Sequence, residues 1–307
     1  MGPRDRHGGE RSISKAIRVV ARPSLVLVIV IAVAASIFAA LAPEARAIEK
    51  VDLELILAID VSASVDLDEA KLQRRGYVAA LANPRLIRAI AAGHHGRIAI
   101  AYFEWSGVEY TRIIADWSVV FDTESALDLS LRLANAPVAT ANRTSISHAI
   151  AVALAMFDSN SYEGSRRVLD ISGDGANNVG GLVNEARDLA VAAGITINGL
   201  PVMNRAFSRF GGPTVANLDL YYESCVIGGP GAFIVVADDF DDIERAIRRK
   251  LILEIAGRTA IRSPVELARR WSGRNPDAGP GVLRTIAAHR PPPCNVGERL
   301  FDDVNRP

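Results

Sequence analysis

The chain has 307 residues, 49% of them hydrophobic, with 35 basic side chains against 35 acidic ones. That apolar share fills the core of one large domain or two small ones. A formal net charge of zero lacks the basic excess of a nucleic-acid binder, so that class is set aside.

Charge is unevenly placed at the start of the chain. Residues 1–23 carry Arg4, Arg6, Arg11, Lys15, Arg18 and Arg22 against only Asp5 and Glu10, and Ser24 to Ala42 carries no charge. Ala45-Arg-Ala47 comes next, a small-x-small cleavage pattern. Basic leader, apolar stretch and Ala-x-Ala together predict a secretory signal peptide over residues 1–47. The competing reading is a retained signal anchor, because the 19 uncharged residues approach the ~20 that span a bilayer. The basic flank stays cytoplasmic in either case. Both readings export the remainder, as a periplasmic or secreted protein or one tethered to the membrane by residues 24–42. The alanines favour cleavage.

The first element of the body is Leu53 to Ile59, an aliphatic run that predicts a buried central strand of a parallel sheet. Asp60-Val-Ser-Ala-Ser64 comes straight after it, and a helical pattern runs from Asp66 to Leu81. Arg97 to Phe103 and Glu109 to Ile114 read as strands joined at Ser106-Gly107, which predicts an antiparallel hairpin at one sheet edge. Thr123 to Ala134 has helical spacing, and Thr144 opens another amphipathic run that ends near Phe157. Arg166 to Ile171 is a strand that ends in Ser172-Gly-Asp-Gly175. A helix from Leu182 to Ala193, stopped by Gly194, leads to a strand over Ile195 to Leu200. A short helix over Leu218 to Cys225, a last strand over Ala232 to Val236 and a last helix over Asp239 to Ile255 complete the body.

Strands alternating with helices predict an α/β fold. It is a doubly wound, mostly parallel sheet with one antiparallel edge strand and helices on both faces. That domain covers residues 48–256. Residues 257–307 are rich in Gly, Pro and charge without sustained periodicity, and read as a loosely ordered tail outside the fold. Cys225 and Cys294 either pair in an oxidising compartment, tying the tail to the body, or stay apart as a buried apolar thiol and a free one.

The chemistry concentrates at two strand-to-helix turns and one helix start. Asp60, Ser62 and Ser64 place a carboxylate and two hydroxyls where open α/β sheets bind ligands. Thr144 adds a hydroxyl near a helix start, and Asp174 adds a second carboxylate between glycines that allow close approach. Asp and Ser also cap helices and form turns, so the first motif alone is ambiguous. Taken together, the three pieces resemble the von Willebrand factor type A (VWA) domain family. There Asp-x-Ser-x-Ser, a later Thr and a still later Asp form the metal-ion-dependent adhesion site (MIDAS). The spacing Thr144, Ala149 and Ile150 also matches that family. The resemblance implies a Rossmann-like domain and a divalent-cation site of Asp60, Ser62, Ser64, Thr144 and Asp174. It implies Mg2+, with Mn2+ or Ca2+ as substitutes, and a protein partner that offers Asp or Glu to the metal. It implies recognition rather than catalysis. Two positions depart from the family pattern: Arg143 stands where Gly is common before the Thr, and Gly173 where Thr is common before the Asp.

The runner-up is a metal-dependent phosphohydrolase of haloacid-dehalogenase type, with Asp60 as nucleophile. That chemistry usually needs a second Asp two residues on as general acid, and here Ser62 stands there. A dinucleotide site fails because Gly173 and Gly175 are not followed by a glycine at the required spacing. No G-x-S-x-G elbow accompanies His148, and His94-His95 alone offers too few ligands for zinc.

Overall fold

The computed structural model describes residues 48–203, 215, 217–257 and 291–304. The predicted leader and most of the predicted tail lie outside these residues. By internal contacts the chain divides into Met1–Arg46 and Ala47–Pro307, and all the described residues belong to the second unit. No helix among the described residues is long and apolar enough to cross a membrane.

The elements run in order as β1 (Glu49–Val51), β2 (Leu53–Asp60), α1 (Leu67–Leu81), α2 (Pro84–Ala91), β3 (Ile98–Trp105), β4 (Thr111–Val120), α3 (Thr123–Asn135) and α4 (Ile146–Asp158). Then come β5 (Tyr162–Gly164), β6 (Arg167–Gly173), α5 (Val183–Ala192), β7 (Ile195–Pro201) and α6 (Leu218–Tyr221), which continues as a π turn over Tyr222–Val226. α7 (Ile243–Ile255) and α8 (Val296–Val304) are the last two. The main sheet has the order β4-β3-β2-β6-β7. All its pairs are parallel except β3 with β4, which forms the expected antiparallel edge. β1 and β5 form a separate parallel pair.

Side-chain alternation on β2 builds the three layers. Leu53, Leu55, Leu57 and Ile59 face a core completed by α1, α2, α3 and α7. Ile56 and Ala58 face the opposite core, made by α4, α5, α6 and the π turn. Both faces of β2 are therefore buried, as its apolar stretch from Leu55 to Ile59 requires. β3 lies on one side of β2 and β6 on the other, so the chain reverses direction across the sheet at β2. A crevice opens at the carboxyl ends of strands at such a switch point.

Two charged groups are sealed in the first core. Arg74 on α1 pairs with Glu104 on β3 and donates to the Leu133 carbonyl at 2.7 Å. Lys250 on α7 is fully buried, pairs with Asp170 on β6 and donates to Glu254 at 2.7 Å. Asn198 on β7 closes this second group by donating to Glu254 at 2.9 Å.

Two expectations change. Ala232 to Val236 forms only isolated bridges beside β7, through Gly199 with Ile234 and Val202 with Ala237. The Phe233 carbonyl accepts from Gly199 N–H, and Val235 N–H donates back to Gly199 O. Pro201 has no N–H to offer the Val235 carbonyl, so one rung is missing, and the bonds resume beyond it with Ala237 N–H to Pro201 O at 3.1 Å and Met203 N–H to Ala237 O at 2.9 Å. The last helix also starts later than expected, at Ile243, with Asp242 at its N-cap position.

Candidate metal centre

The side chains singled out from sequence converge at the switch point. β2 and β6 run side by side with Ile59 opposite Ser172, so the next residues on each strand are neighbours. Asp60 ends β2 and is fully buried. Its Oδ1 accepts from Ser62 N–H at 2.7 Å, an Asx-type turn that folds the loop back over the strand end. Ser62 and Ser64 hydroxyls lie 3.1 Å apart, and Ser64 Oγ donates to Asp174 Oδ1 at 2.6 Å. Asp66 then caps α1 by accepting from Glu69 N–H, and Glu69 returns the bond to Asp66 N–H.

Thr144 is buried, and its Oγ1 would lie 3.5 Å from a Cβ at Gly175. It is held against the Asp174 loop by two bonds: Asn178 N–H donates to Thr144 O at 2.8 Å, and Thr144 N–H donates to Asn178 Oδ1 at 3.0 Å. The N-cap of α4 is Ser145, so Thr144 sits just ahead of the helix rather than in its first turn. From the β3 end, Ser106 Oγ bonds the carbonyls of Asn142 and Arg143 at 2.7 and 2.9 Å. Arg143 has a left-handed φ of 67°, a conformation that explains why glycine suits this position.

Electrostatically the pocket is an acid trap. Burial first, and then the charge of Asp174, pushes the Asp60 carboxyl well above its ordinary range, with the Ser62 bonds opposing. Asp60 Oδ2 is buried without a hydrogen-bond partner, and so is the Tyr222 hydroxyl. Ser64 and Asp174 are only half-buried, so the cluster opens to solvent on their side. The donors are two carboxylates and three hydroxyls. Among the described residues no group of three or more His, Cys, Asp or Glu is gathered for a metal.

Two buried residues behind the site do not stand out in the sequence. Gln73 on α1 donates to Asp60 O at 3.0 Å and accepts from Ser172 Oγ at 3.0 Å, tying the ends of β2 and β6. Asn177, which reads in the sequence as a turn residue of the Asp174 loop, is a buried hub. Its Oδ1 accepts from Ser147 N–H at 2.9 Å, and its Nδ2 donates to Gly181 O at 3.1 Å. The Asn-Asn pair after Asp-Gly-Ala is the available signal, since such residues bond loop backbone readily.

The sheet is doubly wound, and Asp-x-Ser-x-Ser stands at the end of its central strand. The chain belongs to the family described as "Protein of unknown function (DUF1194)", which matches residues 50–259. No curated protein matches the sequence. Among solved structures, the pilus adhesin SpaC from Lactobacillus rhamnosus GG is similar at a TM-score of 0.50 and 11% identity, covering 67% of this chain and 31% of that one. A von Willebrand factor type A protein from Catenulispora acidiphila is similar at a TM-score of 0.47 and 13% identity, covering 67% and 43%. Proximal thread matrix protein 1 from the mussel byssus, with a zinc-occupied MIDAS motif, is similar at 0.47 and 13%, covering 67% and 46%. The matches span less than half of each of these proteins, and at such identities the likeness is one of fold.

Proposed function

We propose that this protein is an exported docking module that binds a divalent cation through Asp60, Ser62, Ser64, Thr144 and Asp174, and through it an acidic residue of a protein partner. The carrying observation is the Asp60 carboxylate, buried beside Asp174 with Oδ2 unpartnered. A buried carboxylate beside a second acid is stable only when a proton or a cation compensates it. All donors are hard oxygens, which suits Mg2+ and, less selectively, Mn2+ or Ca2+. The half-exposed side at Ser64 and Asp174 leaves room for a partner carboxylate, whose contact with the ion is charge-assisted.

The hydrolase reading is weaker because Ser62 cannot act as the general acid near neutral pH. Thermal melts in Mg2+, in chelator and for Asp60→Ala test the proposal, since a ligand held only by the folded state raises apparent stability. The wild type gains stability with millimolar Mg2+ and Asp60→Ala does not; no gain in the wild type sinks the cation site. Phosphatase activity abolished by Asp60→Asn would transfer the site to the hydrolase. Mass spectrometry of the exported protein finds an N-terminus after Ala47 if the leader is cleaved, and at Met1 if it stays as an anchor.

A further inference from the structure

The expectation of a tail outside the fold does not hold for residues 291–304. Cys294 is disulfide-bonded to Cys225 in the π turn. The Cys294 carbonyl accepts from the Tyr221 hydroxyl at 3.4 Å, and that hydroxyl accepts from Asn177 N–H at 3.2 Å. Glu298 Oε1 accepts from Asn177 Nδ2 at 2.7 Å. Gly297 presses on the same residue, so that a Cβ there would come within 2.0 Å of Asn177 O. Phe301 lies under the Arg143 guanidinium, 4.1 Å from carbon to ring centroid.

α8 therefore grips both loops that bring donors from outside β2. Asn177 lies three residues after Asp174, and Arg143 is the residue before Thr144. Asn177 is also what fastens the Asp174 loop to the start of α4, through Ser147 N–H. Glu298 adds a charge-assisted bond to that amide and fixes which way its Nδ2 points. A disulfide narrows the freedom of the segment it closes, so the grip depends on the Cys225–Cys294 bond.

We infer that α8 is a disulfide-held brace, with Asn177 and Glu298 as positioning residues that hold Thr144 and Asp174 in register for the cation. The inference rests on the cation reading above. Groups that orient ligands without touching the ion typically change metal affinity by about 10–100-fold. Reduction by a dithiol delivers two electrons and two protons, leaving thiols at Cys225 and Cys294 while the reductant closes its own disulfide.

The test titrates Mn2+ into the exported protein by electron paramagnetic resonance, oxidised, dithiol-reduced and as Glu298→Ala. Amide hydrogen exchange is followed in the metal-free forms. Reduction and Glu298→Ala each weaken Mn2+ binding about tenfold and speed exchange at Ser147 and Asn178 N–H. Glu298→Ala keeps the disulfide, so the result does not hang on a cysteine variant folding. Unchanged exchange overturns the brace, as does unchanged affinity with faster exchange. The two readings fail differently. Absence of Mn2+ binding by the oxidised wild type removes the cation site, whereas normal binding indifferent to reduction and to Glu298→Ala removes the brace.

Discussion

The Tyr222 hydroxyl fills the space that a side chain at Gly173 would need. A Cβ at Gly173 would lie 2.9 Å from the Tyr222 oxygen and 2.7 Å from Asp60 Oδ2. The departure from Thr at this position is thus matched by an aromatic residue reaching in from the π turn. Gly173→Thr overpacks the pocket and costs about 1–3 kcal/mol in urea denaturation. Tyr222→Phe removes a buried hydroxyl that has no partner and raises metal-free stability by about 1 kcal/mol. The double variant recovers part of the Gly173→Thr loss, with a coupling of at least about 0.5 kcal/mol. Strict additivity in that cycle would show that the two positions do not compete for space.

Asp60→Asn separates the cost of the acid pair from its use. With chelator present the variant is more stable than wild type by about 1–3 kcal/mol, because the wild type must either desolvate a charge beside Asp174 or take up a proton to remove it. In Mg2+ the order reverses, since the variant no longer gains from the ion. Parallel calorimetric melts in the two buffers read both signs.

The Lys250 group gives the domain a pH dependence of its own. Burial, then the Glu254 charge, pushes the Asp170 carboxyl up to about 7, with Lys250 opposing. A folded-state pKa above the unfolded one stabilises at low pH, and that contribution fades as pH rises through about 7. Between pH 4 and 7 this group lowers stability by up to about 1.4 kcal/mol per pH unit. Asp170→Asn flattens that slope in urea titrations at a series of pH values.

Lys250→Met leaves Asp170 and Glu254 buried without their cation and costs about 3–5 kcal/mol at pH 8. The loss shrinks at pH 5, below the raised pKa of Asp170. Arg74→Met strands Glu104 in the same way, with a similar loss in chemical denaturation.

Much of the fold, and the side chains gathered at the candidate site, are legible along the chain. β2 is unmistakable because both of its faces are buried, and Asp60 stands out because a carboxylate ends so apolar a run. Asp60 and Asp174 are legible from where they fall relative to strand ends, and Thr144 from its place just ahead of a helix. α2 carries its own signal in Asn83-Pro84, an N-cap residue followed by Pro at the first helical position, yet its short pattern sits too close to α1 to be separated. Ala232 to Val236 reads as a regular strand because the rung that Pro201 leaves out of its partner cannot be seen locally. α8 is hidden for another reason. Its hold on the domain comes from Cys225, Asn177 and Arg143, all more than 60 residues away, and local periodicity carries no trace of such contacts.

The small β1–β5 pair has a practical consequence. Glu49 to Val51 sits one residue before β2, at the amino end of a strand whose other end carries Asp60. Eight residues of strand separate those ends by roughly 25 Å. A carrier or fluorophore fused ahead of Ile48 therefore loads the molecule from its base and leaves the loops around Asp60 and Asp174 approachable. The same cargo fused after Val304 would leave from the helix that holds Phe301 against Arg143, and would crowd the rim it was meant to report on.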